Sequence, residues 1–490
     1  MTVALALALL AGGCDDGGSG TDAGRPRDAG AGRDASGSDA GPASDGGASD
    51  ASSPTPDGGV PTPGLSYVAT GEYQVFYMVD GRIYAMGTQS PVLGVGPSAP
   101  IAMPPVSIAV PEDLRFRAVS SGLHQSLAVD VNGHVWTWGD VQEGRRGDGS
   151  TEGADASTPF MITEDADGAP FDHVVNVYGT TRFNAALKDD GTVWVWGNCQ
   201  NGIPGDGTDG GVVTRPTQVP FPAGVEIVEV AAALTMLARD RDNVVWQWGA
   251  GETYADRGTG SMEFRFPQPI TALPSDIVQI SNGCGHYALT STGSLWGWGQ
   301  RGAYLGTGEL VPVPLPIELD DTLDLPAPVR EVRSSSLATH VILTDGTLWG
   351  WGDAATGAVG DGQILDYSMT DPPYAWSFEA YQLMVHDPVR IAPSVSNFAH
   401  IFTNAAYCFY AYAQTEDGHL YSWGRNKTPV LGNGVYAHAA NGNPGTASQM
   451  AAAYPNSWDV PLATEVHPMT QGPVPTNSPY CIANPTAPSC

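Results

Sequence analysis

Val135-Trp136-Thr137-Trp138-Gly139 decides the fold, because the same stretch returns as Val193-Trp194-Val195-Trp196-Gly197, Val245-Trp246-Gln247-Trp248-Gly249, Leu295-Trp296-Gly297-Trp298-Gly299 and Leu348-Trp349-Gly350-Trp351-Gly352. Two degenerate copies flank the series, Ile83-Tyr84-Ala85-Met86-Gly87 and Leu420-Tyr421-Ser422-Trp423-Gly424. A period near ~52 residues points to propeller blades or a solenoid. A second marker, Gly-x-Gly, follows every copy: Gly94/Gly96, Gly147/Gly149, Gly205/Gly207, Gly258/Gly260, Gly306/Gly308, Gly360/Gly362 and Gly432/Gly434.

Upstream of each pair lies a turn, such as Asp80-Gly81, Asn132-Gly133, Asp190-Gly191 or Asp345-Gly346, with Asp242-Asn243 in the fourth copy. Glycine accepts positive φ there, so the spacing predicts a hairpin. An apolar strand such as Ser126-Leu127-Ala128-Val129 leads into the turn, and a proline-marked strand such as Pro216-Thr217-Gln218-Val219 follows Gly-x-Gly. A fourth strand, such as Ile277-Val278-Gln279-Ile280 or Val329-Arg330-Glu331-Val332, opens the next repeat. Four short strands per repeat make one blade. Alternation puts Trp136 and Trp138 on one side of their strand, which suits them to packing between blades. Eleven of the 13 tryptophans sit at these positions, so they are read as structural rather than as a sugar platform.

The sequence thus predicts an all-β, seven-bladed β-propeller over residues 65–466. Ser66-Tyr67-Val68-Ala69-Thr70-Gly71 matches the strand before a repeat, and Pro461-Leu462-Ala463-Thr464-Glu465-Val466 serves as the proline-marked strand after the last. The N- and C-terminal strands are expected to close the ring and remove its exposed edges. Residues 467–490 form a C-terminal extension.

Residues 1–14 read MTVALALALLAGGC, an apolar run too short to span a membrane but suited to an export signal. Leu10-Ala11-Gly12-Gly13-Cys14 resembles a bacterial lipobox, with Leu10 four residues before the cysteine instead of three, and makes Cys14 the expected lipidation site. Residues 15–64 consist almost entirely of Gly, Ala, Ser, Asp, Pro and Thr, and lack the apolar area to offset chain entropy. They read as a disordered linker between a lipid-anchored cysteine and a folded head. With Cys14 set aside, Cys199, Cys284, Cys408, Cys481 and Cys490 are odd in number, although Cys481 and Cys490 could close a small loop. The formal net charge of −31, with two lysines among 21 basic residues, disfavours nucleic-acid binding.

At the repeat residues the chain resembles the regulator of chromosome condensation repeat family, whose units run Gly-x-x-His-Ser-x-Ala-Leu, Asp-Gly, Val-Tyr/Trp-x-Trp-Gly and Gly-x-Leu-Gly-x-Gly. Gly122-Leu123-His124-Gln125-Ser126-Leu127-Ala128-Val129 and Gly283-Cys284-Gly285-His286-Tyr287-Ala288-Leu289 carry the first element, and Leu93-Gly94-Val95-Gly96 and Leu305-Gly306-Thr307-Gly308 the last. The resemblance implies a seven-bladed propeller. It does not imply nucleotide exchange, because repeats specify scaffold while function sits in loops. Exported bacterial propellers of this type include a β-lactamase inhibitor, which implies that the scaffold can bind proteins outside the cell.

Serine-hydrolase, zincin and P-loop constellations are missing, so no catalytic residue, metal or cofactor is expected. Lys188-Asp189-Asp190-Gly191-Thr192-Val193-Trp194 only faintly matches a sialidase box, and Glu164-Asp165-Ala166-Asp167-Gly168 lacks the ligand spacing of a calcium loop. His124, His286 and His340 are read as structural histidines at one repeat position.

The pattern breaks twice. From Gly362 to Pro388 and from Gly434 to Pro461 the chain takes a long detour before its proline-marked strand. These insertions hold Tyr367, Tyr374, Trp376, Phe378, Tyr381, Tyr436, Tyr454 and Trp458, the expected binding residues. The expectation is a monomeric, membrane-tethered recognition module for a protein at the cell surface or secreted. The alternative is a surface-glycan hydrolase or carbohydrate-binding propeller.

Overall fold

The computed structural model describes residues 65–88, 90–97, 102–249, 258–259, 264–283, 285–299, 302–308, 312–353, 357–361, 384–404, 410–425, 431 and 459–466. Their strands form seven four-stranded antiparallel sheets, each taken from consecutive chain. Blade 1 is β1 (Leu65–Thr70), β2 (Gln74–Val79), β3 (Arg82–Gly87) and β4 (Ala102–Ser107). Blade 2 is β5 (Phe116–Ser121), β6 (Gln125–Asp130), β7 (Val135–Gly139) and β8 (Ala156–Met161). Blade 3 is β9 (Val174–Gly179), β10 (Phe183–Lys188), β11 (Val193–Asn198) and β12 (Val212–Gln218). Blade 4 is β13 (Ile227–Ala232), β14 (Met236–Asp240), β15 (Val245–Trp248) and β16 (Gln268–Pro269). Blade 5 is β17 (Ile277–Asn282), β18 (His286–Thr290), β19 (Leu295–Gly299) and β20 (Val313–Glu318). Blade 6 is β21 (Val329–Ser334), β22 (Ala338–Leu343), β23 (Leu348–Asp353) and β24 (Met384–Ile391). Blade 7 is β25 (Phe398–Phe402), β26 (Tyr410–Thr415), β27 (Leu420–Arg425) and β28 (Asp459–Val466).

The second strands β6, β22 and β26 are buried along their whole length, because each sheet is covered on both faces by a neighbouring blade. The core therefore lies between blades rather than within them. Each seam holds an apolar cluster drawn from two neighbouring blades, such as Leu127, Val135 and Ile162 with Val174, Val177 and Trp196. First strands touch their counterparts in both neighbouring blades, including β25 with β1, so they surround the central axis.

The hairpin tips take the expected turn geometry. Asn243, where six copies have glycine, adopts φ 64° as Gly133 and Gly191 adopt 88° and 78°. In blade 2 Asp130 secures the tip by accepting the backbone N–H groups of Asn132 and His134 (2.9 and 3.0 Å) and the Trp136 indole N–H (3.2 Å). Burial pushes the Asp130 carboxyl up, but hydrogen bonds from His134, Trp136 and Asn132 outweigh it and hold the group below the usual carboxylate range.

Both sequence markers meet at the seams. In blades 2 to 7 the second tryptophan is fully buried and donates its indole N–H into the preceding blade: Trp138 to Val92 O (2.7 Å), Trp196 to Arg145 O (3.1 Å), Trp248 to Ile203 O (3.0 Å), Trp351 to Tyr304 O (3.0 Å) and Trp423 to Ala358 O (3.0 Å). Each acceptor lies two residues before the first glycine of Gly-x-Gly, so the indole sits beneath that turn. At Gly147, with φ 71°, a Cβ would meet Trp196 Nε1 at 2.8 Å and Ile162 Cδ1 at 2.9 Å. Trp298 differs, donating to the Gln247 side chain at 3.2 Å. Burying an indole is worth about 4–6 kcal/mol by area and its hydrogen bond only about 1 kcal/mol, so burial supplies the energy and the hydrogen bond the orientation.

The terminal strands take their expected places in the ring, β1 innermost in blade 1 and β28 outermost in blade 7. They lie in different sheets, and the ring closes by packing of blade 7 on blade 1. Met86 stands where the other blades have tryptophan, packed with Tyr77, Tyr412 and Leu431. Tyrosine hydroxyls take over the polar part of this joint: Tyr77 and Tyr412 are hydrogen-bonded at 2.9 Å, and the Tyr410 hydroxyl lies 2.6 Å from Gly71 O and 2.8 Å from Gln74 O.

Trp196→Ala is expected to lower folding stability by about 3–5 kcal/mol and Trp196→Phe by less, measured by denaturant unfolding. Gly147→Ala should also destabilise, because its Cβ would enter the space of that indole.

Candidate functional site

The third and fourth strands of each blade are joined across one face, the face of the Gly-x-Gly turns. In five blades the connection is short: residues 88–101, 140–155, 199–211, 249–267 and 300–312. In blades 6 and 7 it runs over 354–383 and 426–458. Asp353 pairs with Met384 and Arg425 with Asp459, so both long connections are rooted on that face, in adjacent blades. Tyr367, Tyr374, Trp376, Phe378, Tyr381, Tyr436, Tyr454 and Trp458 lie outside the described residues. So do the export segment with Cys14, the linker, the C-terminal extension, Cys284, Cys408, Cys481 and Cys490. Cys199 is buried in blade 3 and free, and burial pushes its thiol well above the usual range.

Other sequence candidates have structural duties. Asp190 accepts Thr192 N–H at 2.9 Å, Thr192 Oγ1 accepts the Trp194 indole at 2.9 Å, and Lys188 lies over the Phe171 and Trp194 rings. That segment is a hairpin tip rather than a sialidase box. Asp165 is occupied by the N–H groups of Asp167 and Ala169, both at 2.9 Å, and Glu164 pairs with Arg215 at 3.2 Å. The three histidines do not share a repeat position. His124 precedes β6, His286 is paired with Trp298, and His340 is paired with Gly350, one residue further along its strand. His286 Nδ1 bonds Asn282 Oδ1 at 2.7 Å. Among the described residues no three His, Cys, Asp or Glu side chains converge as metal ligands, and no helix is long and apolar enough to cross a membrane.

The axis has polar chemistry that the repeat reading missed. Every first strand presents an unpaired inner edge, whose N–H groups need acceptors. Side chains from the preceding blade supply them. Glu229 accepts Ile280 N–H at 3.1 Å, Gln279 accepts Val332 N–H at 3.1 Å, and Glu331 accepts Ile401 N–H at 3.4 Å. Ser120 and Ser281 do the same for Gly179 (3.0 Å) and Ser334 (2.8 Å). The signal was present in the shared Glu or Gln at the third place of Ile227-Val228-Glu229, Ile277-Val278-Gln279 and Val329-Arg330-Glu331.

Where blades 6, 7 and 1 meet at the axis, Tyr67, Glu331, Arg333, His400, Ile401, Phe402 and Thr403 line a small, partly open pocket with room for about one water-sized group. Glu331 and Arg333, 3% and 4% exposed, are ion-paired at 3.1 Å, and His400 Nδ1 lies 3.7 Å from Glu331. Tyr67 and Phe402 meet edge to face at 5.6 Å. This lining contains one carboxylate, whereas glycoside hydrolysis normally uses two.

No protein-family model matches the chain. Over its repeats it is similar to the human E3 ubiquitin-protein ligase HERC2, 28% identical over 331 residues, covering 63% of this chain and 6% of the ligase. The ultraviolet-B receptor UVR8 of Arabidopsis thaliana is 28% identical over 281 residues, covering 56% of this chain and 61% of the receptor. The chain thus spans less than two thirds of either relative. Among solved structures, Prp20p of Saccharomyces cerevisiae superposes with a TM-score of 0.58 at 22% identity, covering 82% of this chain and 87% of that one. These likenesses support an RCC1-like repeat, and the architecture is that of an RCC1-type seven-bladed propeller.

Glu331→Ala is expected to destabilise the head by about 3–5 kcal/mol, because Arg333 would stay buried without its carboxylate. Glu331→Gln, which keeps an acceptor for Ile401, should cost less in the same denaturant titration.

Proposed function

We propose that this chain is a non-catalytic protein-recognition head of the cell envelope, exported and lipid-anchored at Cys14, carried on the Asp/Gly/Ala-rich stretch 15–64. Its recognition surface is the pair of insertions in blades 6 and 7. The observation that carries the reading is their common root. The only connections of this type longer than 20 residues rise from adjacent blades on one face, and each adds one tryptophan to a chain whose other tryptophans all serve the repeats. Aromatic anchors commonly dominate binding energy, at ~2 kcal/mol or more for a hot spot. The relatives differ in role, which supports a scaffold whose function is not fixed by the repeat. HERC2 is a ubiquitin ligase, UVR8 a light receptor, and Prp20p has binding properties toward Gsp1p and histones, so one repeat serves different ends.

Trp376→Ala and Trp458→Ala should each abolish capture of a surface or secreted protein by the full chain while leaving the melting temperature unchanged. A lowered melting temperature with the partner retained would make the insertions caps of the propeller. Fatty-acid labelling should be lost in Cys14→Ser; persistence of the label would refute the anchor.

A further inference from the structure

Blade 6 contains an ionisable group at a place where the other blades have none that titrates near neutrality. In blade 5 the Tyr287 hydroxyl donates to Tyr304 O at 2.5 Å, the carbonyl that also accepts the Trp351 indole. His340 has the same place in blade 6. Tyr287 faces Gly297 and His340 faces Gly350; a Cβ at Gly350 would stand 2.9 Å from the His340 ring, whereas one at Gly297 would meet Leu319 first. His340 Nε2 lies 3.1 Å from Ala358 O, the acceptor of the Trp423 indole. At the same register the remaining blades have Phe76, Leu127, Ala185, Leu237 and Tyr412.

Nε2 faces the carbonyls of Ala358 and Val359 at 3.1 and 3.3 Å, which favour the imidazole proton on that nitrogen, with the Trp423 indole nitrogen, itself bonded to Ala358 O, 3.3 Å away. His340 is 1% exposed, and its Nδ1 is buried without a hydrogen-bond partner. A second proton would put a positive charge where nothing accepts it. The charged groups around it do not help. Arg333, its cross-strand partner on β21, is ion-paired with Glu331, which also faces His400 of β25. The turn Gly302–Leu305, Gly350 of β23 and Trp423 of β27 bring no charge, and Asp361, two residues beyond Val359, is not among the groups that shift the ring.

We propose that the joint between blades 6 and 7 is an acid-sensitive release, in which protonation of His340 breaks the hold of blade 6 on Ala358 and Val359, the segment from which the first insertion departs. The inference is independent of what the insertions bind. Burial pushes the His340 ring down from 6.5 to about 4, against the opposing pull of the Val359 and Ala358 carbonyls. Above pH 6.5 both folded and unfolded chains hold a neutral ring and stability does not depend on it. As pH falls the unfolded chain takes up the proton first, so stability is lost between 6.5 and about 4 and levels off below.

Hydrogen exchange of the full chain near neutral pH and at about pH 5, corrected for intrinsic rates, tests this. Amides of Ala338–Leu343 and Leu420–Arg425 should lose protection by about 30-fold at the lower pH, those of β6 and β11 by less. His340→Tyr, which copies blade 5, should remove the difference. His340→Phe, which copies blade 1, should do so if the tyrosine variant does not fold, and His400→Gln should leave it intact. An unchanged acid loss in the His340 variants, its disappearance in His400→Gln, or a loss spread evenly around the ring would overturn the proposal.

Discussion

An indole of one blade lying beneath the Gly-x-Gly turn of the blade before it is the contact on which the ring depends. It explains why two markers recur together. The tryptophan supplies buried area that a four-stranded sheet cannot find within itself, and the glycine gives up a Cβ that would otherwise stand 2.8 Å from Nε1, as at Gly147 over Trp196. A carbonyl two residues upstream then takes the indole N–H. Blades 2 to 7 each give a tryptophan to the blade before them, so their core is shared between neighbours rather than contained in one sheet.

The joint between blades 7 and 1 shows what that contact does by how it is replaced. Met86 fills the apolar space but brings no donor. The polar work passes to Tyr77, Tyr410 and Tyr412, whose hydroxyls bond one another and the backbone of the first turn. A similar economy governs the axis. Seven inner strands expose edge N–H groups, and Glu229, Gln279, Glu331, Ser120 and Ser281 of preceding blades satisfy five of them. Polar residues within otherwise apolar strands are thus part of the scaffold, which weighs against reading them as catalytic.

Much of the candidate surface was legible and part was not. Two long departures from a regular repeat, each with a tryptophan surplus to it, are visible by counting along the chain, and strand pairing roots both on one face. The axial pocket of Glu331, Arg333, His400, Tyr67 and Phe402 was not legible, since its walls come from three blades at the two ends of the sequence. His340 also escaped a sequence reading. It resembles His124 and His286 in the alignment of repeats, yet its register places it two strand positions from the start of β22, opposite a glycine, where burial leaves Nδ1 without a partner.

The amino-acid sequence by itself determined the number of blades, the hairpin in each, and the structural duty of the repeat tryptophans, because these follow from local periodicity and turn chemistry repeated seven times. Tertiary structure decided which carbonyl receives each indole, how the ring closes without a seventh tryptophan, and which polar side chains serve the axis. Those contacts join residues a blade apart, or 335 positions apart for Tyr77 and Tyr412. No local pattern encodes such pairings, since they depend on the geometry that brings one blade against the next.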